Sequence, residues 1–240
     1  MASPFIQGNV TSTAGAATPA TLAFVTQNTT AKSLLCGVVR WNSGTTITGI
    51  TDNQNAGNYT VVSLGTISSV NAAFFYMLNT VGGSKPTISI AFSGTPAGVV
   101  LAIAEYPFAS AATLHTSNTG TAVGTNPTST SVSPSIGDLL IYALADQTGI
   151  TITGMSAGVC GASATLHPFG NTGGTTAFAG FEDGVANSAT SQTASITYAT
   201  STSYLTGLFA FSPPAAGGSG GGNGLSLAMD ASLRNSGLRH

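Results

Sequence analysis

The chain has 240 residues, and only 5% of them are charged: five Lys or Arg against seven Asp or Glu, a formal net charge of −2. An ordinary soluble domain carries about 25% charged residues. This balance leaves no basic stripe to neutralise phosphates and so excludes nucleic acid as a partner. The 42% of hydrophobic residues supply enough apolar surface for a folded core.

Met1–Gln7 has neither the basic nor the apolar region of a secretion signal, so the expected route out of the cell is release by lysis. Pro4–Val10 and Ala20–Thr26 read as two leading strands. Ser33–Trp41 follows, with Cys36 placed as a small buried hydrophobe and Trp41 at the strand's end. Asn53–Asn58 is a turn region, in which Asp52 and Asn58 bond the backbone and Gly57 takes a positive φ. Its oxygens could serve calcium, but no distal acidic ligand closes the run. Thr87–Phe92 alternates imperfectly. Val99–Ile103 and Leu139–Leu144 are continuous apolar runs, as expected of strands buried on both faces. The longest such run, Gly98–Ala104, is too short to span a bilayer. β-branched Thr, Val and Ile dominate, and Gly, Asn, Ser, Thr and Pro clusters separate the segments.

The two halves answer each other at an offset of about 104 to 106 residues. Ser33-Leu34-Leu35 matches Asp138-Leu139-Leu140, and Thr46–Ile50 matches Thr151–Met155. Ala73-Phe74 matches Ala177-Phe178, Thr87–Phe92 matches Thr193–Tyr198, and Ala104–Pro107 matches Ala210–Pro213. Thr113–Ser117 and Thr128–Ser133 supply the leading pair of the second half. The fold expected is all-β: a jelly-roll-like antiparallel β-sandwich with an internal duplication and about seven strands per half. Residues 1–213 form this body, with halves of about 1–108 and 109–213. One large sandwich is preferred over two in tandem, because Phe108–Ser135 contains strand-like pieces and no linker.

Residues 214–224 read as a Gly/Ser linker and 225–240 as a short helical or extended docking arm. Leu225, Met229 and Leu233 fall on one helical ridge, and Asp230 and Arg234 form an i,i+4 pair. Leu225, Met229, Leu233 and Arg234 are the residues expected to dock a partner.

Catalytic signatures are weak throughout. Glu182-Asp183 is the one adjacent acidic pair, but neighbours on a strand point to opposite faces, and Asp183-Gly184 reads as a turn after Thr175–Phe181. His115 and His167 stand far apart and read as solvated loop or strand-edge residues. No Gly-x-Ser-x-Gly elbow is present, and Gly217–Gly222 lacks the Lys-Ser/Thr of a phosphate loop. Cys36 and Cys160 make no disulfide framework and have no ligand-spaced partner for a metal. No enzyme activity and no cofactor are expected. Trp41 reads as a core or rim residue; stacking on a sugar is the alternative.

Several stretches carry a family likeness: Phe5-Ile-Gln-Gly-Asn9, Ser33–Trp41, Thr51-Asp52 with Gly57-Asn58-Tyr59, Gly82-Gly83 with Thr87–Ser93, and Leu101–Tyr106. Over about residues 4–213 the chain is similar to a loose group of jelly-roll-like proteins of tailed phages, which also occur as modules of bacterial surface proteins. It departs from that group at Pro107, where a small residue is more usual. The resemblance implies a β-sandwich and a virion or surface role, with no catalytic residues to carry over. The function expected is therefore a non-enzymatic virion component, such as a head decoration, cement or fibre protein. Its expected partners are further copies and other virion proteins, and no membrane. A carbohydrate-binding or adhesin module, with a host surface glycan as partner, is the alternative.

Overall fold

A computed structural model describes residues 5–15, 18–42, 44–108, 112–147, 152–156, 165–171 and 178–212. Among these residues the chain is all-β and has no helix. The first half contributes β1 (Gln7–Gly15), β2 (Ala20–Ala23), β3 (Leu34–Asn42), β4 (Ile47–Asp52), β5 (Thr60–Ile67), β6 (Val70–Met77), β7 (Thr87–Phe92) and β8 (Ala97–Tyr106). The second contributes β9 (Thr113–Gly124), β10 (Leu139–Asp146), β11 (Ile152–Ser156), β12 (Thr165–Asn171), β13 (Phe178–Val185), β14 (Ser195–Tyr198) and β15 (Thr202–Ser212).

Each half builds one large and one small antiparallel sheet. The first large sheet has the order β1-β8-β3-β6-β5, and the second, read from its other edge, has β9-β15-β10-β13-β12. The first small sheet is β2-β7-β4. The second is β14-β11, with isolated bridges at Thr128 and Val132 where the first half has β2. The large-sheet orders match strand for strand and the small sheets correspond apart from β2, so the duplication in the sequence is a duplication of topology. Even the irregularities recur: the β4–β7 ladder slips between Ile47 and Gly49, and the β11–β14 ladder slips between Ile152 and Gly154.

Register corrects two of the sequence matches. Leu34 pairs with Tyr106 as Leu139 pairs with Phe211, so Tyr106 corresponds to Phe211, not to Ser212. Val38 pairs with Phe74 as Ala143 pairs with Phe181, so Phe74 corresponds to Phe181, not to Phe178. The ladder decides because a one-residue slip would send a side chain to the opposite face.

The layers run small sheet, large sheet, large sheet, small sheet. Every strand ladder stays within its own half. The halves nevertheless share one core between the large sheets, which combines Leu34, Val38, Phe74 and Tyr106 with Ile141, Phe181 and Phe209. Phe74 is its centre, stacked on Phe209 at 3.9 Å between ring centroids and edge-on to Phe181 at 6.3 Å. Two further cores lie outside the large sheets: Leu35, Val39, Ile50, Ile88 and Ile90 under the first small sheet, and Leu140, Leu144, Ile196 and Leu208 under the second. This explains the unbroken apolar runs. β3, β8, β10 and β15 are covered on both faces, so both sets of alternating side chains are buried.

Candidate functional site

Among the described residues the few charged side chains are mostly turned inward. Glu105, Asp138, Asp146, Glu182, Asp183 and Arg40 are all buried. Among the described residues Lys32 and Lys85 are the exposed charges, and Asp52 is half-buried.

Two of the acids tie the same corner in each half. Glu105, near the end of β8, accepts hydrogen bonds from Gln7 Nε2 at 2.6 Å, the Thr30 backbone N–H at 2.6 Å and Ser33 Oγ at 2.8 Å. In the second half the register puts Ala210 in Glu105's place and Asp138 in Ser33's place. Asp138 then takes over the tie. It accepts from Ser212 Oγ at 2.8 Å and the Ser135 N–H at 2.8 Å, and meets His115 Nδ1 at 2.7 Å. The carboxylate has moved from one strand to the next while the corner remains closed.

His115 stands on the edge strand β9 with its side chain 38% exposed, a solvated strand-edge residue that also contacts Asp138. It occupies the bulge where the β9–β15 ladder slips between Ala210 and Phe211. The sequence gives no sign of this, because the contact depends on that bulge. The arrangement is not a nucleophile triad. The serine donates to the carboxylate, and among the described residues no serine hydroxyl bonds the imidazole, which is where proton abstraction would have to occur.

Glu182 and Asp183 lie within β13, not in a turn: Gly184 continues the ladder opposite Leu140. The pair therefore splits between faces. Asp183 sits opposite Ile141 and faces the central core. There burial pushes the Cys36 thiol and the Tyr106 phenol well above their ordinary values, and the Asp183 charge raises both further. Glu182 sits opposite Tyr142 on the outer face, where neither of its oxygens has a hydrogen-bond partner. Burial, with the Asp183 charge adding, raises its carboxyl to about 8. Two carboxylates on opposite sides of a sheet cannot act across one glycosidic bond.

Arg40 joins the halves. Its Nε and Nη2 donate to the carbonyls of Asp146 and Gln147, each at 3.3 Å, and its Nη1 donates to Gly98 O at 2.6 Å and Asn42 Oδ1 at 2.7 Å. Burial lowers its guanidinium pKa, and the Asp146 charge opposes that shift. Asp52 is likewise occupied by its own loop. It accepts from the N–H groups of Gln54 and Asn55, from Asn55 Nδ2 and from the Tyr59 hydroxyl, at 2.6–2.8 Å. Gly57 has a positive φ of 96°. Asp52 and Gly57 follow the turn reading, with both carboxylate oxygens committed to the loop, whereas the Asn58 side chain makes no such bond among the described residues. Among the described residues no group of three or more His, Cys, Asp or Glu stands ready for a metal.

Trp41 is 7% exposed. Its ring packs edge-on against Phe92 at 5.6 Å, and its N–H donates to Thr45 O at 2.9 Å. The ring is built into the wall of a cleft of about 490 Å³ and does not stand out from the surface. Buried to this extent, the Trp41 ring leaves little face for stacking on a sugar. The docking residues Leu225, Met229, Leu233 and Arg234 lie outside the described residues, as do the linker and Cys160. Cys36 is free and buried.

Three clefts line one flank of the first half. The Trp41 cleft shares Ile47 and Val61 with a second of about 260 Å³. The second shares Asn58 with a third of about 450 Å³ that reaches Tyr76 and Val81. The first two lie between the outer strand β4 of the small sheet and the outer strand β5 of the large one, and the third lies beside them, between the loop after β4 and the end of β6. No protein-family model, no curated protein and no solved structure matches the chain.

Proposed function

We propose that this chain is a non-catalytic structural and interaction protein, a subunit or accessory of an assembled particle, with the virion of a tailed phage as its setting. The observation that carries the reading is the inward placement of charge. Five of the seven acids, and Arg40, are spent on internal ties or core positions. The surface left over is Thr, Ser, Gly and Ala on sheet faces and edges. Such a surface desolvates at low cost, because few ions must be stripped of water when copies meet. Functions that work through exposed charge have little to use here. The test is mass spectrometry of purified particles, combined with sedimentation of the isolated protein. The reading expects the chain among the particle proteins and self-association in solution. Absence from particles together with a monomer at all concentrations would overturn it. The carbohydrate-module reading has less support, because Trp41 is buried and its N–H is already bonded. A glycan array with reproducible hits would bring it back.

A further inference from the structure

β9 presents an unguarded strand edge. Sheets protect their edges with short strands, bulges, Pro or Lys. β2 and β14 are four residues long. The ladders of β4, β5 and β11 slip at a bulge, and β12 combines a slip with Pro168. β9 has twelve residues, no Pro and no Lys. Its own slip lies at its start, so Thr116–Gly124 runs along β15 in unbroken register from Ala210 to Thr202. Among the described residues no backbone group pairs with its other side.

Two contacts fix the direction of the backbone groups on β9. The Thr119 N–H donates to Asn118 Oδ1 at 3.0 Å, and the Gly120 carbonyl accepts from Thr206 Oγ1 of β15 at 3.2 Å. Gly120 therefore faces β15, and Thr119 faces away from it. An antiparallel ladder alternates such residues, so Ser117, Thr121 and Val123 also turn their N–H and C=O groups to the open side. Val123 is 67% exposed, the most exposed large apolar side chain on any described strand. The matching edge β1 differs. Its Asn9 makes the same contact to the next N–H, but Val10 packs against the central core.

The edge matches a second copy of itself. Thr116–Gly124 is centred on Gly120. Turned about a twofold axis at that residue, a second copy sets its Thr121 opposite Thr119 and its Val123 opposite Ser117. Each outward N–H and C=O then meets its complement, and the closed symmetry stops growth at two copies. The Thr119 N–H exchanges the Asn118 side chain for a carbonyl of the other copy. Val123 comes to lie beside Ser117 of that copy and leaves water. The one titratable residue of β9, His115, lies outside the paired stretch, so no like charges meet. A foreign peptide would be selected through side-chain pockets, and none of the three clefts is lined by a β9 residue.

We propose that two copies of this chain pair β9 to β9, antiparallel about Gly120, and so join their second large sheets into one continuous sheet. The proposal rests on the reading of the chain as a self-associating subunit and names the surface used. The test is sedimentation velocity over a concentration series, with amide hydrogen exchange by NMR on the full-length protein. The pairing predicts a dimer in which the amides of Ser117, Thr121 and Val123 slow by about tenfold or more as the concentration rises. Val123→Lys weakens association by about tenfold or more without changing the near-ultraviolet circular dichroism, and Thr121→Pro, which removes one outward N–H, weakens it too. Val25→Lys, at an exposed loop position, leaves association unchanged. A monomer at every concentration would overturn the proposal. So would a dimer whose protected amides lie on β1 or β5, or one that Val123→Lys leaves intact. Mass spectrometry of particles decides the wider reading separately: a chain found in particles whose β9 amides exchange freely in the associated state refutes the edge and not the role.

Discussion

Glu182 provides a direct check on the fold of the second half. Its carboxyl is buried, lacks a hydrogen-bond partner, and sits where the first half has Phe75. Its pKa of about 8 compares with an ordinary value of 4.5. A carboxyl raised in the folded state stabilises nothing when ionised. The fold is at its best for this group below pH 4.5, where folded and unfolded forms are both protonated, and it loses stability as pH rises towards 8. At roughly 1.4 kcal/mol per unit, the full loss is about 5 kcal/mol, reached above pH 8. Glu182→Gln keeps the shape and removes the charge. Urea denaturation from pH 4 to 9 should then give curves that coincide at the acid end and diverge steadily, with the variant ahead by about 3–5 kcal/mol at pH 9. Relief of the neighbouring Asp183 is part of this difference. A pH-independent gap between the two proteins, or a wild type more stable than the variant at pH 9, would refute the burial argument.

Gly37 lies under the ring of Phe75, and a Cβ there would stand 2.0 Å from Cζ, so Gly37→Ala should cost at least about 2–3 kcal/mol in chemical denaturation. Glu105→Ala leaves the donors of Gln7, Thr30 and Ser33 without their acceptor and should lower stability by about 2–3 kcal/mol. At the matching corner the two partners should differ. Asp138→Ala removes the buried acceptor of the Ser135 N–H and the Ser212 hydroxyl and costs about 1.5–3 kcal/mol, whereas His115→Ala removes a side chain 38% exposed and costs about 0.5–1 kcal/mol. Equal losses at His115 and Asp138, read from thermal midpoints, would contradict the assignment of Asp138 as the hub.

Much of this architecture was legible from local pattern. The unbroken runs Val99–Ile103 and Leu139–Leu144 announced strands covered on both faces, and two large sheets each sheathed by a small one are the reason. The repeat was legible because Leu34-Leu35 and Leu139-Leu140 occupy equivalent core positions. What failed was register. Pro107 and Pro213 pulled the last match one residue out of step, and only the ladders set Tyr106 against Phe211. Asp183-Gly184 has the composition of a turn, yet Gly184 is still in the ladder, opposite Leu140. The His115–Asp138 pair was hidden for a different reason. It joins residues of separate strands through a bulge, and neither residue looks unusual among its neighbours in sequence.

The two corners show how a duplicated chain can diverge without changing its fold. The end of each large sheet needs a buried acceptor for backbone and hydroxyl donors. The first half supplies it from β8 as Glu105, and the second from the residue before β10 as Asp138, with serines as donors in both. Had these acids served catalysis, their position relative to the substrate would matter, and moving one from a strand to its neighbour would abolish the site. As structural hubs they can move, provided the donors are met. The same reasoning applies to Arg40, whose contacts to Asp146 and Gln147 hold one half against the other. Among the described residues, charge serves chiefly to fix the interior.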